Sequence, residues 1–202
     1  MSVPMFRGKR SLGLRLWHWA NSLAIAGMVA TVFLRDELID VRGHVRMIRE
    51  ALGPAVTADQ ARGIAMSYKD ALWHWHVDLG LVLVALLAGR FVVELFVPKG
   101  TGLCAKIKGG LAKGDSESRM FAAVKLSHAL FYLGLAAILA TGLTLAYGAS
   151  WGVSDPVRHV VHSIHEALMY AILAFAAAHV IGVVRAEKTT DPGLVSDMIH
   201  GG

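Results

Sequence analysis

The chain has 202 residues, 55% of them hydrophobic, a mean hydropathy of +0.52 and a formal charge of +5. It is too apolar for an ordinary soluble domain of this size, which places it among membrane proteins. The positive charge does not mark a nucleic-acid binder, since no basic stripe with interleaved aromatics occurs, and the single cysteine, Cys104, excludes an intrachain disulfide and a Cys-x-x-Cys-His haem attachment.

Arg7, Lys9, Arg10 and Arg15 open the chain without an acidic residue, and an apolar run over about 16–34 follows. As a helix it is long enough to cross a hydrocarbon core of about 30 Å. A cleaved signal peptide is the competing reading, because the basic residues resemble a charged n-region. Against it, the run has the length of a full span, no clear small-residue cleavage site follows, and three further apolar runs come after.

The first connection, 35–72, balances six basic residues against six acidic ones. A connection of this length in a compact protein is usually functional. Within it, 44–52 is expected to form a short helix at the membrane interface. Thr57-Ala-Asp-Gln60 reads as a capping box starting a helix that continues into the second span. The segment suits either a solvated cap over the bundle or a partner-docking surface.

The second apolar run covers about 73–97. After it come Lys99, Lys106, Lys108, Lys113, Arg119 and Lys125 against only Asp115 and Glu117. The third run covers about 126–147, the short connection around Asp155 is nearly uncharged, and the fourth run covers about 157–184. Pro98, Pro156 and Pro192 fall at the ends of runs, as helix punctuation should. The fold class expected is all-α, a transmembrane four-helix bundle forming a single domain over 1–202. Basic flanking segments stay in the cytoplasm, so the N- and C-termini and the second connection are expected there, with the first and third connections outside. Trp17, Trp19, Trp73, Trp75 and Trp151 lie at span ends, as an aromatic belt requires.

This topology sorts the histidines by depth. His18 and His179 lie toward the cytoplasm, and His74, His76 and His165 toward the outer face. His165 and His179 are fourteen residues apart on one helix, a rise of about 21 Å and a rotation about 40° short of whole turns. One helix thus offers two imidazoles on nearly one face, one per leaflet. Pairing by level joins His18 with His179, and His165 with His76 or His74. The latter two cannot both be ligands, because positions two apart on a helix point about 200° away from each other.

Ionisable groups within a span are costly and mark function. Two bis-histidine sites suit two haem b groups, since a bundle core is a common cofactor site and imidazole a normal axial ligand. Zinc usually takes three or four ligands close together, and no level gathers that many without a carboxylate such as Asp78 or Glu166. With both axial positions filled, electron transfer is the expected role. Gly27, Gly80, Gly89, Gly134, Gly142 and the alanines of 174–178 allow close approach of helices or a flat macrocycle, as small residues generally do in membranes.

Arg15-Leu-Trp-His-Trp-Ala-Asn21 resembles the first-helix signature of the bacterial cytochrome b561 superfamily, which includes the di-haem cytochrome b subunits of membrane-bound nickel-iron hydrogenases and formate dehydrogenases. His76 with Gly80 and Arg90 is similar to that family's second-helix pattern, and this favours His76 over His74. His128-Ala-Leu-Phe-Tyr132 and Thr141-Gly142 resemble its third-helix positions, and the fourth-helix pair resembles its two-ligand helix. The tail, Leu194-Val-Ser-Asp-Met-Ile-His-Gly201, looks most like the hydrogenase-type subunits. The long first connection and the extra His74 depart from the pattern. The resemblance implies a bacterial cytoplasmic (inner) membrane and a multi-subunit redox complex, and it implies that His128 is not an axial ligand.

Arg90 lies fourteen residues after His76, at cytoplasmic depth, and Arg15 lies at a similar level. Both are candidates for a haem propionate; the competing reading of Arg90 is snorkelling or an ion pair with Glu94 four residues on. His128, with Lys125 and Ser127, is a candidate for a quinone pocket beside the inner haem, where a proton donor is needed. A satisfied interfacial histidine is the alternative. His159 and His162 read as solvated interfacial residues, with His162 one turn from His165.

The expected function is electron transfer across the membrane between a quinone, menaquinone or ubiquinone, and an outer-face redox subunit such as a hydrogenase, another dehydrogenase or a multihaem cytochrome. Two other classes compete. One is a stand-alone quinone oxidoreductase acting on a small molecule such as superoxide, and the other is a histidine-rich metal transporter without haem.

Overall fold

In the computed structural model, which describes residues 9–38, 40–96, 98, 100 and 102–201, the regular elements are all helical. They are α1 (Leu12–Phe33), which continues into a π-helical stretch at Leu34–Leu38, α2 (Val41–Leu52), a 3-10 turn (Gly53–Ala55), α3 (Ala58–Leu95), α4 (Leu103–Lys113), α5 (Ser116–Tyr147), α6 (Asp155–Thr189) and α7 (Leu194–His200). Arg7, Lys99 and Val97, the last at the end of the second expected span, lie outside the described residues.

Four stretches are long and apolar enough to cross a bilayer: Leu12–Glu37, Ala58–Leu95, Ser116–Tyr147 and Asp155–Thr189. Their surfaces carry large apolar side chains turned outward, among them Leu23 (71% exposed), Leu133 (68%) and Ile181 (68%). In water such surfaces would demand a partner; on helices of this length the hydrocarbon core is that partner. The chain is an all-α transmembrane bundle.

The helices begin and end where local chemistry dictates. Thr57 and Gln60 form the capping box: the Thr57 N–H donates to Gln60 Oε1 (2.9 Å) and the Gln60 N–H to Thr57 Oγ1 (3.2 Å). The helix so started runs unbroken for 38 residues, joining the first connection to the second span as expected. α5 starts ten residues before the apolar run. Gly114, left-handed at φ 77°, ends α4, and Asp115 then caps α5 by accepting the Ser118 N–H at 2.8 Å. That bond holds the Asp115 carboxyl below the usual carboxylate range.

Two compact units make up the chain, one of residues 1–19 and 84–202 and the other of 20–83. In the first, α5 packs on both α4 and α6, and α7 folds against α6. Gly110 lets α4 and α5 touch, since a Cβ there would lie 2.8 Å from the Ser118 carbonyl oxygen. Leu135, Leu139 and Ile172 are buried in this unit. In the second, α1 and α3 come close enough at Gly27 that a Cβ would lie 2.9 Å from Leu79 Cδ1. Ala24, Ala61, Ala65 and Leu83 are buried there, and α2 is capped by Asp40, which accepts the Arg42 N–H.

The short helices α4 and α7 were not expected from sequence. α7 is built from outside itself: the Gly193 and Val195 N–H groups donate to the Glu187 carboxylate, both at 2.8 Å, satisfying donors a helix start leaves open.

Candidate functional site

In the first unit the N-terminal end of α1 is fixed by three contacts. Trp17 Nε1 donates to the Leu86 carbonyl oxygen at 2.9 Å, Arg15 Nη1 to that of Ile199 at 2.8 Å, and Trp19 Nε1 to that of Met198 at 3.2 Å. These bonds present His18 to α6, where its ring centroid lies 6.2 Å from that of His179, with the planes at 58°. A nitrogen ligand sits about 2 Å from a first-row metal and the ring centre about 1 Å beyond, so imidazoles opposed across one ion have centroids about 6 Å apart. The observed separation has that size.

His128, on α5, joins the same cluster. Its centroid lies 5.9 Å from that of His179, at 87°. Its Nδ1–H donates to the Val124 carbonyl oxygen at 2.5 Å, leaving Nε2 as an acceptor. Phe175, one turn before His179, stacks on it at 6.1 Å and 9°, and on Phe131 at 4.6 Å. The neighbours of His128 are otherwise engaged: Lys125 Nζ sits 5.1 Å over the Phe121 ring, and the Ser127 hydroxyl donates to the Val124 carbonyl oxygen. Arg90 pairs with Glu94 at 3.0 Å. Both line a cavity of about 420 Å³ together with Phe91, Leu103 and Tyr132.

Toward the other end of α6, His165 meets α5. Its Nδ1 lies 2.9 Å from Thr141 Oγ1, and the next residue, Gly142, makes room for the ring: a Cβ there would lie 3.2 Å from His165 Cε1. The Thr141 hydroxyl has one proton, shared between the carbonyl oxygens of Ile138 (2.9 Å) and Ala137 (3.1 Å). The imidazole must therefore donate Nδ1–H, and Nε2 keeps its lone pair. The continuous α6 preserves the fourteen-residue interval from His165 to His179.

The second unit repeats this chemistry on other helices. His76 Nδ1 lies 3.0 Å from Thr31 Oγ1, while the Thr31 hydroxyl gives its proton to the Met28 carbonyl oxygen at 2.7 Å. His76 thus also donates Nδ1–H. Trp73 stacks on His76 at 5.3 Å and 6°, and Arg35 covers the Trp73 ring. His74 is exposed and bonds the Asp70 carbonyl oxygen of its own helix at 2.8 Å. His159, His162, Asp78 and Glu166 are exposed.

The residues fit haem b. A metal-bound imidazole needs one nitrogen bare and the other donating to an acceptor, and His165 meets that condition. A zinc site fares worse: among the described residues no group of three or more His, Cys, Asp and Glu is placed to hold a metal ion. Sequence reasoning missed Thr31 and Phe175. A hydroxyl inside an apolar run is a buried polar group that needs partners, and Phe175 stands at i−4 from His179, so both left a signal.

Comparison with known proteins agrees with this chemistry. A probable Ni/Fe-hydrogenase B-type cytochrome subunit of Rhodobacter capsulatus is 25% identical over 211 residues, covering 93% of this chain and 78% of the relative. No solved structure matches. Residues 9–201 match the family described as prokaryotic cytochrome b561, nearly the whole length, and so the chain belongs to that family: it is a multi-pass bacterial membrane haem protein of electron transfer.

Proposed function

We propose that the chain is the membrane-anchoring, di-haem subunit of a respiratory redox complex, passing electrons between the quinone pool and an outer-face redox subunit. His18 and His179 hold the cytoplasmic-side haem b, and His76 and His165 the outer one. The whole chain acts as one domain in the bacterial inner membrane, with both termini in the cytoplasm. The observation that carries this reading is the 6.2 Å approach of His18 to His179, with His165 fourteen residues from His179 on the same unbroken helix. Haem b held by these histidines would supply a one-electron carrier.

The chain's own residues supply the rest. Phe131 and Phe175 pack the His179 ring and keep water from it. His128 stands against His179 with Nε2 as acceptor, so that nitrogen takes the proton of a quinol hydroxyl; Lys125 and Ser127 flank it. Arg15 and Arg90 lie at the cytoplasmic level where propionates require cations. On the outer connection α2 exposes Arg42, Arg46 and Arg49, one turn apart along one side, which fits an acidic surface on the partner. The relative's name points to a hydrogenase; another dehydrogenase or a multihaem cytochrome meets the same requirement.

The test uses the purified, haem-replete protein. His18→Ala or His179→Ala removes one haem and with it reduction by menaquinol or ubiquinol analogues. His76→Ala or His165→Ala removes the other and leaves quinol reduction of the remaining haem in place. If each variant keeps two haems, the ligand assignment fails. If the isolated chain turns over quinol with a small outer oxidant rapidly, the subunit reading fails.

A further inference from the structure

His76 and His165 come from different helices, and each meets a threonine hydroxyl from a neighbouring helix in the same way. Thr31 lies on α1 and is 7% exposed; Thr141 lies on α5 and is partly buried. In both places the order is imidazole N–H, hydroxyl oxygen, hydroxyl proton, backbone carbonyl. A hydroxyl whose own proton is committed to a carbonyl is polarised toward accepting, and such chains strengthen link by link where water is absent. A water-exposed histidine would need no such partner, and His74, on the same helix as His76, bonds the Asp70 carbonyl oxygen of its own backbone.

We propose that Thr141 is a positioning residue that fixes His165 as the tautomer with an unprotonated Nε2 and holds down the reduction potential of the haem that His165 ligates. The proposal rests on the ligand reading above. An acceptor at Nδ1–H makes a ligating imidazole more basic, and a more basic ligand stabilises the oxidised, more highly charged iron. Removing the Thr141 hydroxyl therefore raises the potential of the haem that His165 ligates and leaves the other one where it was. Outer-shell partners of metal ligands typically matter 10–100-fold. The lower figure, a tenfold shift in the oxidised-to-reduced balance, corresponds to about 59 mV for a one-electron couple.

The experiment is a spectropotentiometric titration of the haem-replete protein, with low-temperature electron paramagnetic resonance of the ferric state. The variant is Thr141→Val, with Thr141→Ser as rescue. Valine keeps the shape and removes the hydroxyl; serine keeps the hydroxyl. The proposal expects the valine variant to raise the midpoint of the haem that His165 ligates, and of no other, by about a tenfold equivalent, and serine to restore it. Loss of that haem in the valine variant, with retention in the serine variant, also supports it. Titrations that superimpose on the unaltered protein, a serine variant that behaves like valine, or a shift confined to the other haem would overturn it. Failure of the ligand reading is separately visible, because His165→Ala would then leave the haem content unchanged.

Discussion

Gly142→Ala tests the packing of His165 most sharply. The added methyl carbon would stand 3.2 Å from His165 Cε1 and 3.8 Å from Nδ1, so the ring must retreat by a few tenths of an ångström from a hydroxyl it meets at 2.9 Å. Overpacking costs about 1–3 kcal/mol, while replacing glycine by alanine in a helix returns about 1 kcal/mol. Global stability should therefore change by at most about 2 kcal/mol. The site responds more strongly: displacing a ligand from its supporting contact is expected to weaken haem binding at the outer site about 10–100-fold. Gly134→Ala is the matched control. It lies on the same helix facing α6, where the nearest atom, Ile172 Cδ1, is at 3.6 Å, an ordinary contact. Haem per polypeptide after detergent dilution, with the redox titration of what remains, reads the effect. Gly142→Ala is predicted to lose the outer haem while Gly134→Ala keeps both. Equal retention in the two variants would show that the ring is not held against α5 as described.

Other outcomes follow from single contacts. His74→Ala should leave both haems bound and His76→Ala should leave one, as measured by absorbance against protein content; the reverse would exchange the two ligand assignments. Thr57→Ala removes the capping box and should destabilise the start of α3 by about 1 kcal/mol, seen as faster hydrogen exchange at 58–61 with the spans unaffected. Glu187→Gln should speed exchange at the amides of Gly193 and Val195, because both lose a charged acceptor. Asp115, whose carboxyl is held below its usual range by the Ser118 N–H, contributes its cap fully above the ordinary aspartate value of about 3.9. That contribution is lost as pH falls through the lowered folded-state value. Asp115→Asn should flatten this acid-side dependence in thermal unfolding of the protein in detergent.

The four spans were legible because a bilayer imposes length and apolarity directly on sequence. The extra turns of α3 and α5 are less so, since their polar residues lie outside the hydrocarbon and only local caps announce them: Thr57 and Gln60 do so reciprocally, whereas Asp115 caps α5 alone, without a capping-box partner. α4 and α7 are short, and α7 depends on Glu187, whose role emerges only when the chain folds back. Histidine spacing on α6 was readable because helical geometry converts residue number into distance. The approach of His128 to His179 was not, since it depends on how α5 and α6 pack. Likewise Arg90 offered a choice that spacing alone left open, and in the fold it pairs with Glu94. Thr31 was passed over because a threonine in an apolar run is common and its partner lies on another helix.

The most direct measurement is a pyridine haemochrome determination of iron porphyrin per polypeptide, on pure protein supplied with haem, repeated for His179→Ala and His165→Ala. The account predicts two equivalents in the unaltered chain and one in each variant. A single equivalent at saturation, or two equivalents surviving either substitution, would contradict it.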